Sequence, residues 1–367
     1  MQQILSPSGR KVVYQMNGFS PYDQGSPWQN GQGGPFASQG AYWQSPQWQE
    51  KRKIRHTTNV MGWACFAVQA LMSGLTLLLV QFLYLIGYPF SMEWTASSGM
   101  SPTTYYLLIS LVYIIAVALP FVLCMLFMRL PVNQALPFEK VGVGTGILCI
   151  FMGVGACMFS NIPSNIVAMF FEGAGFSGTM PESVQGNNAL SMALSVIQIA
   201  IIPALVEELA FRGVILSQLR RFGNGLAVFG SALLFAFYHG NFLQFTFTFL
   251  VGLVLGFIMI RTNNLWITVI IHAVNNGISV MFSMVSGYLS QEAYTALNSI
   301  LFVGLMLLGV VSLVILLIKK REFFQTNYNA PMLLPLSTRL MAFITNPGFV
   351  AFFALFFLSS VESLLTW

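Results

Sequence analysis

The apolar and polar positions of the chain fall into two regimes. Residues 1–57 are rich in Gln, Gly, Ser and Pro and show no repeating apolar face. From Val60 onward, apolar runs of roughly 18 to 30 residues follow one another with short polar breaks between them. At about 1.5 Å of rise per residue, such runs cross a hydrocarbon core of about 30 Å as helices. Spans are predicted near 60–88, 104–128, 141–170, 190–218, 225–240, 242–260, 265–286 and 296–318, about eight in all. Gly99-Met100-Ser101-Pro102 and Thr262-Asn263-Asn264 are typical of the breaks, and the pairs Gly142/Gly146 and Gly252/Gly256 offer faces for close helix contact. The fold class is therefore all-α, a polytopic transmembrane helical bundle with a disordered N-terminal arm.

Three regions follow from this pattern. Residues 1–57 form a cytoplasmic arm with too little apolar surface to offset its chain entropy. Its aromatic-Gln pairs (Trp28-Gln29, Trp43-Gln44, Trp48-Gln49) suit either a solvated tail or an arm that touches the membrane surface or a partner. Residues 58–320 form the transmembrane domain, and the first span is expected to act as a retained anchor, because the polar segment before it is far too long for a leader peptide. Residues 321–367 form a tail whose apolar end, Phe349 to Leu365, is broken by Ser359, Ser360 and Glu362. Between a ninth span and an interfacial helix, Glu362 favours an interfacial or loosely packed segment.

With 56% hydrophobic and 7% charged residues, the chain lacks the polar surface that a soluble domain must show to water. Its net charge of +5 does not imply nucleic acid, because the basic residues flank the spans. They occur before the first span (Lys51, Arg52, Lys53, Arg55), between the second and third (Arg129, Lys140), after the fourth (Arg220, Arg221), after the sixth (Arg261) and after the eighth (Lys319, Lys320, Arg321). The alternate connections carry Glu93, Glu172, Glu182 and Glu292 without Lys or Arg. By the positive-inside rule, this is a multi-pass plasma-membrane protein with its N-terminus in the cytoplasm. Cys65, Cys124, Cys149 and Cys157 lie in apolar runs without CxxC spacing and read as core residues.

Charge inside the membrane is the informative exception, since an ionised side chain there costs on the order of 2.5 to 3.5 kcal/mol on insertion scales. The fourth span contains Glu207, Glu208 and Arg212. Glu208 and Arg212, four apart, share a helical face and can pair; Glu207 points about 100° away and needs a partner from another helix. Two of the three histidines, His239 and His272, also lie in spans. Counted from the basic ends of their helices, Glu207 lies about 20 Å deep, His239 about 22 Å and His272 about 16 Å. Asn276 follows His272 by one turn on the same face. Pro203, one turn before Glu207, frees the carbonyl of Ile199 and is expected to kink the span.

Taken singly, such residues satisfy interhelical hydrogen bonds more often than they catalyse. Together, two carboxylates, two imidazoles and an amide at one depth exceed what packing requires. A carboxylate shielded from bulk water is well suited to general-base work, and a neighbouring imidazole can share a water with it. A second imidazole and an amide can donate to the oxyanion formed when that water attacks a peptide carbonyl. Glu207, His239 and His272 would equally furnish the three protein ligands of an open zinc site, and the sequence leaves both versions standing. HExxH, GxSxG and Walker A patterns are absent.

The ordered motifs Glu207-Glu208 with Arg212, Phe235 with His239, and His272 with Asn276 resemble the EExxxR, FxxxH and HxxxN/D motifs of the CPBP intramembrane proteases. This family, also called ABI, includes type II CAAX prenyl endopeptidases and bacteriocin-processing or immunity proteins. The resemblance covers about residues 190–285. It implies an intramembrane endopeptidase in which Glu207 activates water beside His239, His272 and Asn276 stabilise the oxyanion, Glu208 and Arg212 form a structural ion pair, and Phe235 either packs to orient His239 or is a plain lipid-facing aromatic. The family's metalloprotease label leaves zinc open. The expected partners are a peptide or membrane-protein substrate and the lipid bilayer. The competing classes are a non-catalytic membrane immunity or binding protein and a proton-coupled transporter, although no repeated half of the kind common in transporters is visible.

Overall fold

The computed structural model describes residues 4–5, 11–12, 45–88, 99–176, 184, 186, 188–325 and 332–365. Most of the expected disordered arm, and Glu93 and Glu182 of the acidic connections, lie outside them. Within the arm, Ile4–Leu5 pairs antiparallel with Lys11–Val12. Most of the rest of the described chain is helical, in ten main helices: α1 Pro46–Leu85, α2 Pro102–Phe127, α3 Val143–Gly173, α4 Ala189–Arg220, α5 Asn224–Tyr238, α6 Phe242–Thr262, α7 Leu265–Val285, α8 Gln291–Lys319, α9 Leu336–Ile344 and α10 Pro347–Leu365. Helix α1 begins at Pro46, so the last part of the expected arm, including its basic cluster, is helical and continuous with the first span.

Polar breaks between apolar runs serve as caps. Ser101 accepts from the Thr104 amide with Pro102 in the first turn of α2, Asn241 accepts from Leu243 at the start of α6, and Asn264 accepts from Trp266 at the start of α7. Asn263 ends α6 in the left-handed conformation that Asn tolerates.

Among the described residues, eight helices are long and apolar enough to cross a membrane, but not the eight expected. Helix α5 has 15 residues, about 22 Å, and falls short of a 30 Å core. It ends at Tyr238, turns through Gly240 (φ +62°), and α6 returns antiparallel beside it. In its place α10 qualifies as a span. The expectation of a loosely packed C-terminal segment is therefore corrected: Phe349, Phe352, Phe353 and Phe356 of α10 all pack around Phe237 of α5, with Phe356 stacked on it. Gly348 and Gly62 bring α10 and α1 together with no room for a Cβ between them.

The basic connections gather at one end of the bundle. Arg220 donates to Asn263 at 2.7 Å, Arg221 to Thr57 at 2.7 Å, Arg55 to the carbonyl of Thr345 at 3.0 Å, and Arg339 to the carbonyl of Phe222. All four cysteines are free and buried, as read.

Small residues set the helix spacing. Gly252 backs onto Ala232, so that α6 lies against α5 as expected, but Gly142 and Gly146 have open space around them. The close contact of α3 is instead with α8, where a Cβ on Gly155 would fall 2.6 Å from the Cα of Gly309. Gly155→Ala should therefore push α3 and α8 apart and cost about 1–3 kcal/mol, read as a lower Tm of the protein in detergent, whereas Gly146→Ala should leave Tm unchanged.

Candidate functional site

Helix α4 places the charged residues, and its backbone is irregular on both sides of them. Ile197–Ile201 and Leu209–Leu216 are wider π-helical turns, a form that collects at functional sites, and the Ile202 amide donates five residues back to Ile197. Pro203 supplies the reason for the first, since it has no N–H for the carbonyl of Ile199. That carbonyl accepts instead from the Asn276 side chain on α7, at 3.2 Å. The freed acceptor expected from the sequence thus has a partner one helix away.

Glu208 is fully buried, and its Oε1 takes two donors: Arg212 Nη1 at 2.8 Å and His272 Nδ1 at 2.9 Å. A carboxylate only accepts when ionised, so His272 presents N–H at Nδ1. Its other nitrogen, Nε2, faces Glu207 Oε2 at 3.8 Å. Glu207, 3% exposed, receives a hydrogen bond on Oε1 from the Tyr113 hydroxyl of α2, which in turn accepts from Tyr238 of α5 at 2.9 Å. Oε2 of Glu207 is buried and has no hydrogen-bond partner among the described residues.

His239 caps the C-terminus of α5 and uses Nδ1 as donor to the carbonyl of Phe235, at 2.8 Å. Phe235 is 2% exposed, so it is not lipid-facing. Its ring meets His239 edge-on at 4.8 Å, lies 6.0 Å from His272, and carries the Arg212 guanidinium over its face at 4.4 Å.

All the singled-out residues therefore lie in the bundle interior, though their pairing differs from the simplest expectation. The imidazole that faces Glu207 is that of His272, and His239 makes no ion-pair contact with it among the described residues. Asn276 already spends one N–H on Ile199, while its Oδ1 accepts from Asn275. As for zinc, no three His, Cys, Asp or Glu side chains among the described residues converge to hold a metal ion. The trio Glu207, His239 and His272, as placed, does not fit one.

Sequence reasoning missed Tyr113 and Tyr238. A hydroxyl deep inside an apolar span must find an acceptor, and Tyr113 midway along α2 carried that signal without revealing which acceptor. Beside the cluster opens a cavity of about 640 Å³, with Ile199, His239 and Asn276 on its wall.

A bundle of membrane-crossing helices around a buried Glu/His/Tyr cluster defines a polytopic membrane protein with an intramembrane polar site. Residues 188–278 match the family described as type II CAAX prenyl endopeptidase Rce1-like. The match spans all three motifs and about a quarter of the chain, and is consistent with the CAAX-protease (CPBP) family of intramembrane endopeptidases. No curated protein and no solved structure matches the chain.

Removing one partner of a buried pair leaves an uncompensated charge. Arg212→Met should accordingly cost about 3–5 kcal/mol and be seen as a large drop in Tm, and adding Glu208→Gln to it should recover part of the loss.

Proposed function

We propose that this chain is an intramembrane endopeptidase in which Glu207 activates the water that attacks a peptide carbonyl. The observation that carries this reading is the Glu207 carboxylate itself: fixed at Oε1 by Tyr113, buried, and directing Oε2 toward the Nε2 of His272. Two carboxylates against one guanidinium leave one negative charge, which a proton on both nitrogens of His272 would cancel. In that state His272 donates to Glu208 through Nδ1 and offers Nε2–H to the oxyanion, joined by the second N–H of Asn276 on the cavity wall.

Water held between Glu207 Oε2 and the lone pair of His239 Nε2 attacks the carbonyl carbon. Its proton passes to Glu207, and collapse of the tetrahedral intermediate breaks the C–N bond as Glu207 returns that proton to the leaving amine. Water and peptide bond become one carboxylate and one amine. The basic end of the bundle faces the cytoplasm on this reading, with the N-terminus.

Glu207→Gln should lower cleavage of a peptide library, read by mass on the protein in lipid, by about 10²–10⁴-fold without lowering Tm; retained cleavage overturns the role. Cleavage should persist in chelator, and loss reversed by zinc would make Glu207 a ligand rather than a base. Tyr113→Phe should lower kcat by about tenfold, the equivalent of one hydrogen bond of about 1.4 kcal/mol, with KM unchanged, a split that a merely structural tyrosine would not give.

A further inference from the structure

The cavity beside the site has a chemistry of its own. Its wall carries six carboxamides, Asn161, Asn165, Gln244, Asn275, Asn276 and Asn298, contributed by α3, α6, α7 and α8. Facing them are apolar side chains such as Phe247, Phe282 and Phe302. Apart from His239, none of the described residues lining it is ionisable below the tyrosine range; Asp, Glu, Lys and Arg are all missing from the wall. Carboxamides carry both donor and acceptor groups, the two kinds that an extended backbone presents in alternation, and the apolar side suits neutral side chains. A charge entering this space would find no counter-ion.

Its position along the bundle is equally specific. Measured from the helix ends at Leu265, Val143 and Lys319, Asn276 lies about 16 Å up, one turn beyond His272 at about 10 Å, while Asn161 lies about 27 Å up and Asn298 about 32 Å. The cavity therefore rises from the level of Glu207 and His272 to beyond a hydrocarbon core of about 30 Å, toward the end of the bundle opposite Arg220, Arg221 and Arg261. Asn165 and Asn298 are exposed where it opens.

We infer that this cavity is the substrate vestibule and that it receives an uncharged, internal stretch of polypeptide from the membrane face opposite the basic residues. The inference rests on the endopeptidase reading above and adds substrate class and side of entry. Release of the last residues of a chain would bring a terminal carboxylate into the vestibule, and the described wall has no cation to meet it. Cleavage within a neutral segment avoids that cost.

The test uses the full chain carrying Glu207→Gln in lipid nanodiscs, so that binding is read without turnover. The probe is a radiolabelled, N-acetylated and C-amidated peptide of Ala, Ser, Val and Gly. It should bind at least about tenfold more tightly than the same peptide with a free carboxylate or a central Lys, and Asn298→Trp should weaken it by about tenfold. Equal affinity for the charged peptides overturns the substrate class. For the side of entry, Asn298→Cys in intact cells should react with a membrane-impermeant maleimide and be protected by the peptide, the four native cysteines being buried; reaction only after permeabilisation overturns it. A wild-type chain that binds the neutral peptide and cleaves nothing sinks the endopeptidase reading alone. Cleavage that Asn298→Trp leaves at its full kcat/KM, in protein of unchanged Tm, sinks the vestibule alone.

Discussion

A pair of adjacent carboxylates inside a bilayer sets the terms for everything around it, because neither can be left without compensation in a medium that does not solvate charge. The bundle treats the two differently. Glu208 takes two donors on a single oxygen, the guanidinium of Arg212 from its own helix and the Nδ1–H of His272 from α7. Glu207 gets a neutral donor, Tyr113, and keeps one oxygen unengaged by the described protein groups. One carboxylate is thereby committed to holding His272 in place, and its neighbour directs its unengaged oxygen at the same imidazole. The division arises from a rotation of about 100° between consecutive helical residues, which sends one toward the guanidinium and the other toward α2.

Holding that arrangement requires an irregular backbone. Pro203 and the π turns break the regular hydrogen-bond ladder of α4 on both sides of Glu207-Glu208, and α5 stops at His239 instead of running on. Non-helical backbone at membrane depth is tolerated only where protein or a polar cavity covers it. Both conditions are met: Asn276 closes the Ile199 carbonyl, and the turn after α5 borders the amide-lined cavity and is packed by the aromatic cluster of α10. The places where the helices depart from regularity are the places where polar side chains converge.

The remainder of the bundle supplies rigidity. Lipid is as apolar as leucine, so helix association here depends on close backbone approach rather than on escape from water. Gly155 against Gly309, Gly252 against Ala232, and Gly62 against Gly348 give three such approaches, joining α3 to α8, α6 to α5 and α1 to α10. At the basic end, side chains of Arg55, Arg220, Arg221 and Arg339 tie successive connections together and keep the long helices in register.

Much of this was legible in the chain itself. Hydropathy and length dictate the helical spans, alternating basic connections predict that those connections gather at one end, and the cost of intramembrane charge singles out Glu207, Glu208, Arg212, His239, His272 and Asn276 before any coordinates are known. The i,i+4 pairing of Glu208 with Arg212 and the carbonyl freed by Pro203 are local consequences of helix geometry, which is why sequence spacing suffices for them. Only the tertiary structure decides which imidazole faces Glu207, that Tyr113 holds it, that α5 stops short while α10 is packed against it, and that Gly155 rather than Gly142 marks a helix contact. Those are outcomes of packing between residues 64 to 154 positions apart in the chain, where no periodicity carries information and the choice of neighbour depends on how all the helices fill space together.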